Sequence, residues 1–246
     1  MKHIYPIIAA IFLCTFASAQ LTEMNFELTN DDKTASAVYN CGDHGFFIYN
    51  ESRVEGNYDC KVTFHNTKLE KAWEQTLASS EGLMQLQHYQ VDPDGTIHLL
   101  LGTTAKSKYA IYSLSSTGHT YALVAMPDEE FIADFMVGDA ETVFITYPEK
   151  KTSMDFRQRF LSVQKPKDYA PETSAGAMAW LEAEEFHQEE GCRQVHHIFS
   201  DPKAGTVGLL LGLREAGFPK ARLAMYNVKE HKLYKQEILL KNKRYT

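Results

Sequence analysis

The sequence predicts an all-β fold, a β-propeller of four-stranded blades, with a β-sandwich as the alternative. Three observations predict it. A unit of four short strands begins near Ala35, Leu83, Phe131 and Cys192, at spacings of 48, 48 and 61 residues. Self-similarity at a period of this length marks solenoids and propellers. The residues themselves return: Asp92-Pro-Asp-Gly-Thr-Ile-His-Leu-Leu-Leu-Gly102 comes back as Asp201-Pro-Lys-Ala-Gly-Thr-Val-Gly-Leu-Leu-Leu-Gly212 with one more residue in the turn. The apolar second strands Ile97–Leu101 and Val207–Leu211 suit strands covered on both faces. A sandwich would leave the period unexplained.

The amino terminus opens with Lys2 and His3, runs apolar from Ile7 to Leu13, and reaches Ala17-Ser-Ala19 before Gln20. That is the layout of a secretory signal peptide, so residues 1–19 are expected to be removed and residues 20–246 to form the propeller domain. The expected address is secreted or periplasmic. The apolar run falls short of the roughly 20 residues that span a bilayer, and no later segment approaches that length. A lipoprotein anchor at Cys14 is disfavoured because Leu13 stands where a small residue is needed.

Four blades are expected over about 35–78, 83–126, 131–191 and 192–240. The second is the clearest: Leu83–Val91, Thr96–Thr104, Tyr109–Ser115 and Thr120–Met126 are divided by Asp92-Pro-Asp-Gly95, Ala105-Lys-Ser107 and Ser116-Thr-Gly118. These dividers combine glycine for positive φ, proline for a preset φ and aspartate for a local cap. The first blade reads Ala35–Cys41, Gly45–Asn50, Cys60–His65 and Ala72–Ala78, with Trp73 in its outer strand. The fourth reads Cys192–Phe199, Thr206–Leu213, Arg222–Val228 and Leu233–Leu240. The third is clear for Phe131–Val137, Thr142–Tyr147 and Phe156–Val163 and then loses its pattern. Met24–Thr29 reads as a strand left over. It either closes the ring beside the fourth blade, or the chain is the first half of a larger propeller.

Over residues 35–240 this pattern resembles that of secreted bacterial β-propeller repeat proteins. The WD dipeptide and the kelch double glycine are absent from the sequence, which leaves the subfamily open.

Loss of residues 1–19 removes one lysine from a chain of formal charge −7, and an acidic mature chain makes nucleic acid an unsuitable partner. Cys41, Cys60 and Cys192 remain, which allows a 41–60 bridge or three inert buried thiols. Without a C-x-x-C, a zinc ribbon or thioredoxin-like centre is excluded. The sequence does not specify an oligomeric state.

Propeller loops between blades, and between second and third strands, emerge on one side. Here those are the long ones: Asn50–Asp59, Pro148–Ser153, Glu215–Pro219 and Lys165–Gly191. Long loops on a rigid scaffold are the usual place for binding. Lys165–Gly191 carries seven acids against two lysines. The candidate ligand-binding set is Trp180, Glu184, Glu185, His187, Glu189, Glu190 and His197, for a protein or glycan ligand. No cofactor is identified, and a divalent cation is one reading of the acidic rim. The bland reading makes Gly176–Glu190 a solvated helix or outer strand with Trp180 and Phe186 packed inward. His196 and His197 are expected on opposite faces of one strand, so that at most one joins His187. The favoured function is an exported, non-enzymatic binding or scaffold protein using the long-loop face. The alternative is a glycosidase-like hydrolase with acids at the channel mouth, which requires two opposed carboxylates that the sequence cannot nominate.

Overall fold

The structure is a computed structural model and describes residues 34–54, 57–78, 85–103, 107–127, 130–148, 158–164, 180–189, 192–213 and 220–239. The expected signal peptide, Met24–Thr29, Glu190 and most of the long-loop segments lie outside the described residues. The strands form four sheets, antiparallel in all pairings but one. The first holds β1 (Thr34–Asn40), β2 (Phe46–Val54), β3 (Asn57–His65) and β4 (Lys71–Ala78). The second holds β5 (Gln85–Val91), β6 (Ile97–Gly102), β7 (Lys108–Ser115) and β8 (Gly118–Ala125).

The third sheet begins with β9 (Glu130–Val137), β10 (Glu141–Pro148) and β11 (Gln158–Gln164). Two further strands follow: β12 (Leu181–Glu182), which joins the second sheet, and β13 (Glu184–Glu189), which completes the third. The fourth sheet is β14 (Cys192–Asp201), β15 (Thr206–Leu213), β16 (Lys220–Asn227) and β17 (Lys232–Leu239). Each sheet contains a four-stranded antiparallel meander, and the architecture is that of a β-propeller. Among the described residues no helix is long and apolar enough to cross a membrane.

Burial explains why the second strands are apolar throughout. Ile97, Leu99 and Leu101 pack with Phe47, Tyr49 and Val62 of the first blade. Leu100 between them packs with Phe135, Phe144 and Leu161 of the third. Val143 and Ile145 of the third blade then meet Val207, Leu209 and Leu211 of the fourth. The second strands of the second and third blades therefore each contribute to a core on either side, and a polar residue there needs a partner of its own.

Asn50–Asp59 is no long loop: β2 and β3 stay paired out to Val54 and Asn57. The last strand of the third blade, where the sequence left open a solvated helix or an outer strand, is the outer strand β13, whose residues Glu184-Glu-Phe-His-Gln-Glu189 carry too little apolar alternation to decide between them. Just before it, β12 runs parallel to β8, with Leu181 opposite Val124 and the Ala183 N–H bonded to the Ala125 carbonyl at 2.9 Å. One segment thus ties two blades together.

The 41–60 bridge is also corrected, since both thiols are free and buried. Cys41 follows the end of β1, whereas Cys60 lies opposite Glu51 and so at the level of Ala35. Six residues of strand, about 20 Å, separate those levels, far beyond the reach of a disulfide. Cys60 Sγ instead accepts the Tyr49 hydroxyl at 3.0 Å.

Candidate functional site

The residues singled out in the acidic segment do not form one shell. Trp180 is half-buried against the core shared by the first two blades, with Lys108 Nζ 4.4 Å above its ring. Glu184 is exposed, and Glu185 forms an ion pair with Arg159 at 3.3 Å. Glu189 is fully buried. Its carboxylate takes His187 Nε2 at 2.7 Å, Arg222 Nη1 at 3.0 Å and Lys235 Nζ at 3.1 Å. Burial pushes its pKa up, but the hydrogen bonds from His187, Arg222 and Lys235 outweigh this and hold it below the ordinary carboxylate value. With its oxygens committed to three nitrogens, Glu189 seals the third blade against the fourth.

His197 lies elsewhere. A bulge between Val195 and His197 breaks the alternation of β14. The His196 ring lies against Gly212, and His197 stacks on Phe199, whose ring covers Gly208. Gly208 and Gly212 share one face of β15, so both imidazoles lie on the face away from the third blade. This corrects the expected opposition of the two histidines. The fourth sheet stands between them and His187. Phe186, expected inward, is 40% exposed and tilts over Tyr226 at 4.8 Å. Among the described residues no group of three His, Cys, Asp or Glu side chains is placed to hold a metal ion.

Among the described residues, two recesses occur at the opposite, tight-turn end. The first is an open basin of about 530 Å³ lined by the first turns of three blades. Asn40, Asp43 and His44 come from the first blade, Asp92 from the second, and Asp201 and Lys203 from the fourth. The turns are built for close approach: Gly42–His44 is one turn of 3₁₀ helix, and Gly95, at φ +86°, lets the His44 imidazole lie against the neighbouring blade.

The second recess, of about 260 Å³, lies between the second and third blades. Asp92, His98 and Ser113 line one wall, and Val137, Asp139, Thr142 and Val163 the other. His98 is 5% exposed and fully bonded, with Nε2 2.9 Å from Asp92 Oδ2 and Nδ1 2.8 Å from Ser113 Oγ. Gln90 Nε2 donates to the other Asp92 oxygen at 2.6 Å, and Gln90 Oε1 accepts the Val137 N–H of the third blade at 3.0 Å. None of these residues was singled out in sequence as a site. The available signal was His98 itself, a polar residue inside Ile97-His-Leu-Leu-Leu101 where the equivalent position of the fourth blade is Gly208.

No family model matches the sequence, and no curated protein does. Solved structures that match the chain include an uncharacterized protein from Listeria monocytogenes EGD-e, at 9% identity, TM-score 0.37, 89% of this chain and 70% of that one. A GH43 β-1,3-galactosidase solved with galactodeoxynojirimycin matches at 11% identity, TM-score 0.33, 86% of this chain and 74% of that one. The WD40 domain of SCAP from fission yeast matches at 8% identity, TM-score 0.29, 88% of this chain and 64% of that one.

Proposed function

We propose that the protein is an exported, non-enzymatic binding protein whose mature chain begins at Gln20 and which takes a glycan in the basin at its tight-turn end. The observation that supports this reading is the convergence there of first turns from three blades. Asp43 and Asp201 are acceptors, Lys203 is a donor, and the His44 and Asn40 side chains can be either. Sugar hydroxyls, each both donor and acceptor, match such an alternating rim.

A glycosidase-like activity would need two opposed carboxyl groups with one kept protonated. Burial raises the pKa of Asp134 on β9 and of Glu51 on β2, but these lie on the third and first blades and neither lines the basin.

The test is a glycan array with residues 20–246, followed by calorimetry on the Asp43→Asn, Asp201→Asn double variant. Saturable binding lost in the variant is expected. Binding to no glycan, or equal binding by the variant, overturns the reading. Expression with residues 1–19 in a Gram-negative host should yield exported protein whose first residue is Gln20. Retention in the cytoplasm with Met1 in place would refute the export.

A further inference from the structure

The cavity between the second and third blades is walled on its polar side by hydrogen-bond acceptors. Asp92 Oδ2 accepts from His98 Nε2 at 2.9 Å. His98 Nδ1 and the Ser113 hydroxyl share one proton across 2.8 Å, and whichever of them carries it, Ser113 Oγ keeps a lone pair at the cavity wall. Asp92 and Asp139 on the walls only accept, while Thr120 and Thr142 can serve either way. The remaining lining is apolar, including Ile111, Val124, Val137, Val163 and Leu181. Gln90 fixes the relay against the third blade through Val137, so the wall is preorganised.

We propose that this cavity, which adjoins the basin at Asp92, is a binding site for a small organic amine: an apolar body filling the space between the blades and an ammonium donating to Ser113. The ligand class follows from the lining: Asp92 and Asp139 meet an ammonium with acceptors, whereas a carboxylate-bearing ligand of equal size would bring acceptors to acceptors. The volume of about 260 Å³ suits a body of a single ring. Charge adds to hydrogen bonding: the wall carboxylates attract a cation across a partly enclosed space.

The experiment is NMR titration and calorimetry of residues 20–246 with cyclohexylamine and, in parallel, cyclohexanecarboxylate. Cyclohexylamine is expected to bind with a Kd of about 1 mM or tighter. Shift changes should centre on Ser113, His98 and Val137. Ser113→Ala, checked for an unchanged melting profile, should weaken the amine about tenfold. If that variant unfolds, the wild-type shift map decides alone. The Asp43→Asn, Asp201→Asn variant should bind the amine unaltered, which separates this site from the glycan basin. Equal or tighter binding of the carboxylate, no saturable amine binding, or shifts confined to the basin would each overturn the proposal. A fluorophosphonate adduct on Ser113 would overturn it too, by showing that the relay makes a nucleophile.

Discussion

The Tyr226 hydroxyl of the fourth blade donates to the Glu141 carboxylate of the third across 2.7 Å. Glu141 is 3% exposed and also receives His231 Nδ1 at 2.8 Å and Gln164 Nε2 at 3.3 Å. A buried carboxylate with three donors from two blades fastens those blades more specifically than their shared apolar core, because any other orientation would leave the charge unpaired.

Tyr226→Phe should therefore destabilise the fold by about 1–2 kcal/mol, the loss of a buried hydrogen bond to a charged acceptor. Urea unfolding of the two proteins measures it, and no change in midpoint would deny the link. Burial first, and then the bond to Glu141, raise the phenol pKa above its ordinary value. The stabilisation is present in full below about pH 10 and is lost as pH rises through the folded-state value.

Glu189→Gln should cost about 3 kcal/mol, since His187, Arg222 and Lys235 would lose the buried anion that gathers them. Glu184→Gln, at an exposed position, should stay within about 0.5 kcal/mol. The lowered pKa of Glu189 sets the sign with pH. Its contribution is present above about pH 4.3, the unfolded glutamate value, and disappears as pH falls through the lower folded value. The gap between wild type and Glu189→Gln should narrow correspondingly in acid. A constant gap down to pH 2 would contradict the assignment.

Burial pushes the Cys41 thiol up to about 12 and the Cys60 thiol up to about 11. Both should resist iodoacetamide at pH 8 in the native protein and react on unfolding, as peptide mass spectrometry would show. Stability tied to these thiols is full below about pH 8.5, the ordinary thiol value, and is lost as pH rises through 11–12. Rapid native labelling of either cysteine would place it at an accessible site instead.

Gly45 has φ +126°, and a Cβ there would lie 2.0 Å from the His65 carbonyl oxygen. Both the conformation and the backbone contact exclude a side chain, so Gly45→Ala should destabilise by more than about 3 kcal/mol. Gly42→Ala serves as a comparison: its φ is +59° with open space around it, and about 1 kcal/mol is expected. Equal melting temperatures for the two variants would remove the steric argument.

The strands of the second blade were legible because their turns carry their own chemistry. Asp92-Pro-Asp-Gly95 must turn, and Ile97–Leu101 must then be buried on both faces. β13 was legible only as one of two alternatives, a solvated helix or an outer strand, because Glu184, Glu185, His187 and Glu189 look like solvated surface. Only the arrival of Arg222 and Lys235 from another blade lets Glu189 be buried. The bulge at Val195–His197 was hidden for a related reason, since alternation presumes an even strand and the extra residue is accommodated by Gly212 on the neighbouring one.

By itself the sequence determined the all-β class and the repeat, because hydrophobic periodicity and turn residues act over a few neighbouring positions. Tertiary structure alone decided where chemistry gathers. The Asp92–His98–Ser113 relay joins a turn and two strands of one sheet, and its Gln90 extension reaches Val137 on the next blade. The basin is made by turns as far apart in the chain as Asp43 and Asp201. Hydrogen bonds form between groups within about 3 Å of each other, and sequence separation carries no information about that distance once sheets stack face to face.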